Sequence, residues 1–199
     1  METIDSRQLP EVWDEEVIVR NEGETRKILL VFIDEMPKTS RLRVRLAGRG
    51  SRAEITVVHL GRRAQETNMD ITLIHDAPET RGRITVKSAL FDQSRFVFRG
   101  MLEITECGTG SDSYLLAKAL MISAQARAEI YPYLEIKTDE VRASHGSSVG
   151  RIDPVQLFYL QSRGIGLEKA QKIILAGFFG DFTAFLPAAC LEVQPLKIV

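Results

Sequence analysis

Nine short apolar or alternating runs follow one another between Glu15 and about Ile136: EEVIVR, RKILLVFI, RLRVRLA, AEITVVHL, MDITLIH, GRITVKSA, RFVFRGMLEI, SYLLAKALMI and AEIYPYLEI. Their wealth of Val, Ile, Leu, Thr and Phe reads as strands. Centred near Ile18, Leu30, Val44, Val57, Leu73, Thr85, Val97, Ala119 and Tyr131, they recur every 12 to 16 residues, with one step of 22 across the loop CGTGSDS. Gly, Asp, Asn and Ser mark the joints, and no stretch between Arg26 and Leu102 sustains an i, i+3, i+4 apolar pattern. The first two-thirds of the chain is therefore all-β. Evenly spaced strands without helices fit an antiparallel sandwich or barrel, or a solenoid in which each turn adds a rung to a parallel sheet. Asn-Gly and Asp-Gly hairpin turns are absent, which tilts the expectation towards the solenoid.

The texture changes at Arg151. In RIDPVQLFYLQSRGI, Asp153 is placed as an N-cap, Pro154 as the first helical residue and Gly164 as the stop. A second helix, GLEKAQKIILAGFFG, sets Leu167, Ala170, Ile173, Ile174, Gly177 and Phe178 on one face and ends at Gly180. Asp181 can cap a short third helix through Phe185, broken by Pro187. The expected organisation is an N-terminal extension (1–14), a β core (15–150), a helical segment (151–186) and a tail (187–199).

The chain has 199 residues, 26 Lys+Arg and 27 Asp+Glu, a net charge of -1. Such a balance lacks the basic footprint of a protein that grips nucleic acid or an anionic membrane. No uncharged apolar stretch reaches the roughly 18 residues of a spanning helix. The start shows no cationic region followed by an apolar one, and only Cys107 and Cys190 occur, 83 positions apart. These features lead us to expect a reducing, cytoplasmic setting with no disulfide framework and no self-contained metal cage. There is no Gly-x-x-x-x-Gly-Lys-Ser/Thr loop, so no nucleotide is expected on this chain, and no Gly-x-Ser-x-Gly or His-Glu-x-x-His motif.

Few residues stand out for chemistry. His145, in the polar, glycine-punctuated TDEVRASHGSSVGRID, reads as an exposed turn histidine suited to ligand or proton-transfer roles, with Asp139 and Glu140 nearby. Cys107, in ECGTGSDS, is a thiol in an exposed loop, whereas Cys190 reads as apolar filler. His59 and His75 read as strand-end histidines bonding locally. The stripe RLRVRL puts Arg41, Arg43 and Arg45 on one solvated strand face.

The run YPYLEIKTDEVRASHGSSVGRIDPVQLFYLQSRGIGLEKAQKIILAGFF resembles the carboxy-terminal signature of the SufB/SufD family of iron-sulfur cluster assembly scaffolds. The likeness runs through Pro132, Leu134, Glu135, Ile136, Asp139, Glu140, Val141, Ser144, His145, Gly146, Val149, Gly150, Leu157 to Leu160 and Ser162 to Ile165, and His75 and FVFRGMLEI extend it upstream. The resemblance implies a right-handed parallel β-helix core with a small C-terminal helical segment. It also implies a non-catalytic scaffold subunit that pairs with a SufB-like protomer or a second copy of itself and recruits a SufC-type ABC ATPase through its C-terminal helices. The resemblance further implies a transient iron-sulfur cluster shared at the protomer interface, with His145 as the candidate residue there. Leu157, Phe158, Tyr159, Arg163 and Phe178 are then the ATPase contacts, and Cys107 a secondary candidate ligand.

Two departures point to the SufD-like branch: Ala117 stands where the SufB branch has a cysteine, and Gly146 stands where it has a glutamate. The chain is also about half the usual family length. A cluster-free homodimeric relative is one alternative. A carbohydrate-active β-helix enzyme using Glu54, Asp70, Glu79 and Glu103 is another.

Overall fold

The computed structural model describes residues 2–5, 11–33, 37–180 and 182. Among these, eleven strands precede two helices: β1 (Glu2–Asp5), β2 (Val12–Val19), β3 (Thr25–Ile33), β4 (Thr39–Leu46), β5 (Arg52–Gly61), β6 (Glu66–His75), β7 (Arg81–Leu90), β8 (Arg95–Ile104), β9 (Asp112–Met121), β10 (Arg127–Ile136), β11 (Arg142–Arg151), α1 (Pro154–Ser162) and α2 (Leu167–Phe179). Each strand pairs in parallel with the strand two further on. Odd strands form one six-stranded sheet and even strands one five-stranded sheet. One turn of the chain thus lays one rung in each sheet, giving a parallel β-solenoid of about five turns. Thr25, Arg52, Arg81, Asp112 and Arg142 stack in a single column. The repeating unit is therefore a pair of strands, and the 12-to-16-residue interval in the sequence is half of it.

Two differences from the sequence reading concern the ends. β1 and the first residues of β2 lie within the stretch set apart as an N-terminal extension, and β1 pairs with β3 from Glu2↔Ile28 to Asp5↔Val31. RASHGSSVGR, taken for a turn, is β11 and pairs along its whole length with β9. Glycine and serine hid this strand because it lacks the β-branched and aromatic residues on which strand recognition rests. The proposed third helix from Asp181 and the tail with Cys190 lie outside the described residues, Phe182 excepted.

The core is built from the inward residue of every second position. Ile28, Ile55, Ile84 and Leu115 form one buried column of the odd-strand sheet and Leu30, Val57, Val86 and Ala117 the next, facing Val44, Leu73 and Leu102 across the interior. Phe96 and Phe98 stack inside, ring centroids 6.3 Å apart. In a parallel stack the side chains of one outer row lie on one another, so a row that alternates in sign is favourable. The row of Arg41 does so, Arg41 lying 3.7 Å from Asp14 and 3.8 Å from Asp70, while Arg45 pairs at 2.9 Å with Asp76 outside its own row. At one corner Gly23, Gly50, Glu79 and Gly110 recur with positive φ, a left-handed residue turning each rung.

α1 begins as read: the Val155 N–H donates to Asp153 Oδ1 at 2.8 Å, Pro154 opens the helix, and Gly164 follows it at φ 80°. α2 lies on the outer side of the odd-strand sheet, burying Leu175 and Phe179 with Leu29, Val58, Leu60 and Ala89. The expected face, centred on Ile173, Ile174 and Phe178, is rotated. Ala170, Leu175 and Phe179 are buried, while Gly177 and Leu167 are exposed. IILAGFF is apolar around most of the helix, so periodicity picks no face and the sheet decides. Lys87 on β7 donates to the carbonyls of Phe178 and Phe179 at 2.9 and 3.1 Å, a cation at the negative end of the helix.

Candidate functional site

β10 and β11 end the two sheets, each with a single neighbour. Four inner columns stop there. Leu134 continues Val44, Leu73 and Leu102; Ile136 continues Leu46, His75 and Ile104; Ser147 follows Ala117; and His145 follows Ile28, Ile55, Ile84 and Leu115. Inside the solenoid these positions are sealed. On the last rung no described residue roofs them, and Leu134 is 38% exposed, Ile136 43% and Val149 43%. Tyr131 and Tyr133 add exposed aromatic surface on β10. His145 is thus an inward-column residue at the open end of a core, and no longer the turn residue of the sequence reading. Its imidazole is exposed, beside a rim of apolar side chains that no further rung covers among the described residues.

The other candidates separate. Cys107 is exposed in the turn between β8 and β9, where its N–H donates to Thr105 Oγ1 at 3.3 Å. It belongs to a corner of the solenoid, not to the inner columns where His145 lies. Among the described residues no group of three His, Cys, Asp or Glu could hold a metal ion, so Asp139, Glu140 and His145 do not form a ligand set within the chain. Ala117 is buried in β9, in register with Ser147.

α1 buries none of its residues. Phe158 is 71% exposed and Tyr159 56%, with the Arg163 guanidinium carbon 5.2 Å from the Tyr159 ring centre, while Leu157 is half-buried. Val155, also exposed, joins this apolar face at the i, i+3, i+4 spacing that could have revealed it. Phe178 differs from its companions: half-buried, it packs edge-on to Phe179, 5.2 Å between ring centres, in the cluster that seats α2.

The two remaining histidines are structural. His75 is held inside by Thr80 Oγ1 at 2.7 Å from Nδ1 and Ser113 Oγ at 2.9 Å from Nε2. His59 stacks on Phe96 at 4.5 Å, with Ser88 Oγ 2.8 Å from Nδ1. Burial pushes His59 down to about 3 and His75 to about 4, where Asp112 opposes the shift and Arg83 adds to it. Both are neutral near pH 7. The four carboxylates of the glycosidase alternative are each tied to a cation: Glu54 to Lys27, Asp70 to Arg41 and Arg99, Glu79 to Arg49 and Glu103 to Lys137.

The family model of the SUF system iron-sulfur cluster assembly SufBD core domain matches residues 14–178. The chain belongs to the SufBD core family. It is 32% identical over 154 residues to the iron-sulfur cluster assembly protein SufD of Bacillus subtilis (strain 168), covering 77% of this chain and 35% of that protein. It is 35% identical over 146 residues to an iron-sulfur cluster assembly SufBD family protein of Mycobacterium leprae (strain TN), covering 69% and 37%. A SufBD family protein of Mycobacterium tuberculosis (strain H37Rv) is 34% identical over 149 residues, 71% of this chain and 38% of that one. The chain spans little more than a third of the length of these curated relatives. In this SufBD core protein the signature residues gather on β10, β11 and α1, the least buried elements described. Core packing does not account for them there.

Proposed function

We propose that this SufBD core protein is a non-catalytic scaffold subunit of a Suf-type iron-sulfur cluster assembly complex, pairing through its open last rung with another β-helix protomer. The observation that carries the reading is the unroofed end of the core, where His145 stands in an otherwise apolar column. A second solenoid docked there would bury Leu134, Ile136 and Val149 and give the free edges of β10 and β11 partners. It would also enclose His145. The cluster is cargo. An imidazole nitrogen of His145 supplies one ligand bond, and the paired protomer supplies the thiolates that one histidine cannot replace. The partner is a SufB-like chain or a second copy. The exposed face of Val155, Phe158 and Tyr159 is the docking surface for a SufC-type ABC ATPase, which supplies the nucleotide site.

Anaerobic co-expression with the ATPase and a SufB-like chain tests both surfaces. The purified complex should carry iron and sulfide in stoichiometric amounts, and His145→Ala should lose both while the complex stays intact. Equal iron and sulfide in the variant would remove His145 from the cluster site, and a stable complex without iron in either protein would favour the cluster-free relative. Phe158→Asp should abolish ATPase co-purification without changing the melting temperature, because Phe158 touches no core. Undiminished co-purification would place the ATPase elsewhere.

A further inference from the structure

The column Thr25, Arg52, Arg81, Asp112 and Arg142 lies at the start of the odd strands, on the outward side and clear of the cluster that seats α2. Neighbouring rungs are about 4.8 Å apart, so Arg52 and Arg81 stand side by side, an arrangement that is destabilising without a counter-charge. Elsewhere the chain supplies one, as Asp70 does between Arg41 and Arg99. Here the nearby carboxylates are committed to other groups. Glu24 holds Asn21 and Arg26, Glu54 holds Lys27, Glu79 holds Arg49, and Asp112 holds Arg83 at 2.8 Å. The fields of Arg81 and Arg142 reach Asp112, which lies below the usual carboxylate range chiefly through its bond to Arg83. Among the described residues the side chains of Arg52, Arg81 and Arg142 make no hydrogen bond or ion pair, although Asp112 stands between Arg81 and Arg142 in the column. Arg81 and Arg142 line a surface groove of about 350 Å³ with Ser111, Asp112 and Glu140, and Glu140 is the one carboxylate there without a side-chain partner.

We infer that this arginine column binds an acidic, extended segment of a partner protein, whose carboxylates pair with Arg52, Arg81 and Arg142. Charge complementarity carries the choice of occupant: among the described residues three guanidiniums without a side-chain hydrogen bond or ion pair, each able to take a carboxylate bidentately, share the column with one acid, Asp112, which is itself bonded to Arg83, and Glu140 is the free carboxylate beside them. On one side of an extended peptide, carboxylates at alternate positions recur about every 6.8 Å, which spans these rungs within side-chain reach. A nucleic-acid backbone fits less well: its continuous row of phosphates cannot skip Asp112 within the column or Glu140 beside it, whereas a peptide can set an uncharged residue opposite each.

The test uses the full chain and a fluorescein-labelled octapeptide of alternating Asp and Ser, followed by fluorescence anisotropy at low salt. Binding by the unsubstituted chain should weaken at least tenfold in Arg52→Gln/Arg81→Gln and on raising the salt to 0.3 M, and stay within twofold in Arg99→Gln, whose arginine already has Asp70. Equal affinity in the double variant, no binding at millimolar peptide, or displacement of the peptide by an equally charged single-stranded oligonucleotide at lower concentration would each overturn the inference. Removing like charges should leave the melting temperature of the double variant unchanged or higher. A marked fall would show that the column has partners within the fold, and Arg142→Gln then reads the binding independently.

Discussion

His59 and His75 make the interior sensitive to acid. Each is neutral in the fold, with its protonation pushed from 6.5 down to about 3 and about 4 by burial. In the unfolded chain both recover the ordinary value, so below pH 6.5 the unfolded state binds protons that the folded state refuses. Their full contribution to stability is present above pH 6.5 and is lost progressively as pH falls towards 4, at about 1.4 kcal/mol per pH unit for each group. Urea melts between pH 7.5 and 5 should show this slope. His75→Gln, keeping polar contacts to Thr80 and Ser113, should flatten it, and an unchanged slope would clear His75. Gly50 carries a different constraint: its φ is +64° and a Cβ there would meet nothing within 4 Å, so Gly50→Ala isolates the backbone cost. We expect a loss of about 1 kcal/mol in chemical denaturation, and no loss would mean the corner relaxes. The sequence placed both histidines at strand ends, but Thr80 and Ser113 reach His75 only because the chain has coiled, and that part was illegible.

Helix α2 is an element held by few contacts. Leu175→Ala removes the centre of its seat between Leu29, Val58, Leu60 and Ala89, and should cost roughly 2 to 4 kcal/mol. Hydrogen exchange should localise that loss to α2, and uniform loss across the strands would show that helix and solenoid unfold together. Phe178→Asp belongs to the same class. Half-buried beside Phe179, Phe178 is a poor probe of ATPase docking, since a charge there loosens the helix before any partner is met. Among elements, nine strands and the caps of α1 were legible because apolar alternation and Asp153-Pro154 are local signals. β11 was not. Its inner positions hold Ala143, His145, Ser147 and Val149, with no rung beyond among the described residues to demand larger apolar groups, so the element bearing the candidate site looked like a turn.

Across the whole molecule, stability should grade along the solenoid axis, because rungs in the middle have two neighbours per sheet and the last has one. Native-state hydrogen exchange should find amides of β10 and β11 opening well before those of β5 to β7, and pairing with another protomer should slow the former alone. Uniform protection would argue against an open end. The solenoid also has a direction in time. Since every strand pairs with the one a turn earlier, each rung can add to an edge the ribosome has already delivered, and at about 5–20 residues per second a new edge emerges every few seconds. Nascent chains therefore expose one sticky rim after another, each short-lived because its successor covers it. Among the described residues the rim of β10 and β11 is the one that no later strand hides, so the docking proposed for it would be scheduled by the order of synthesis.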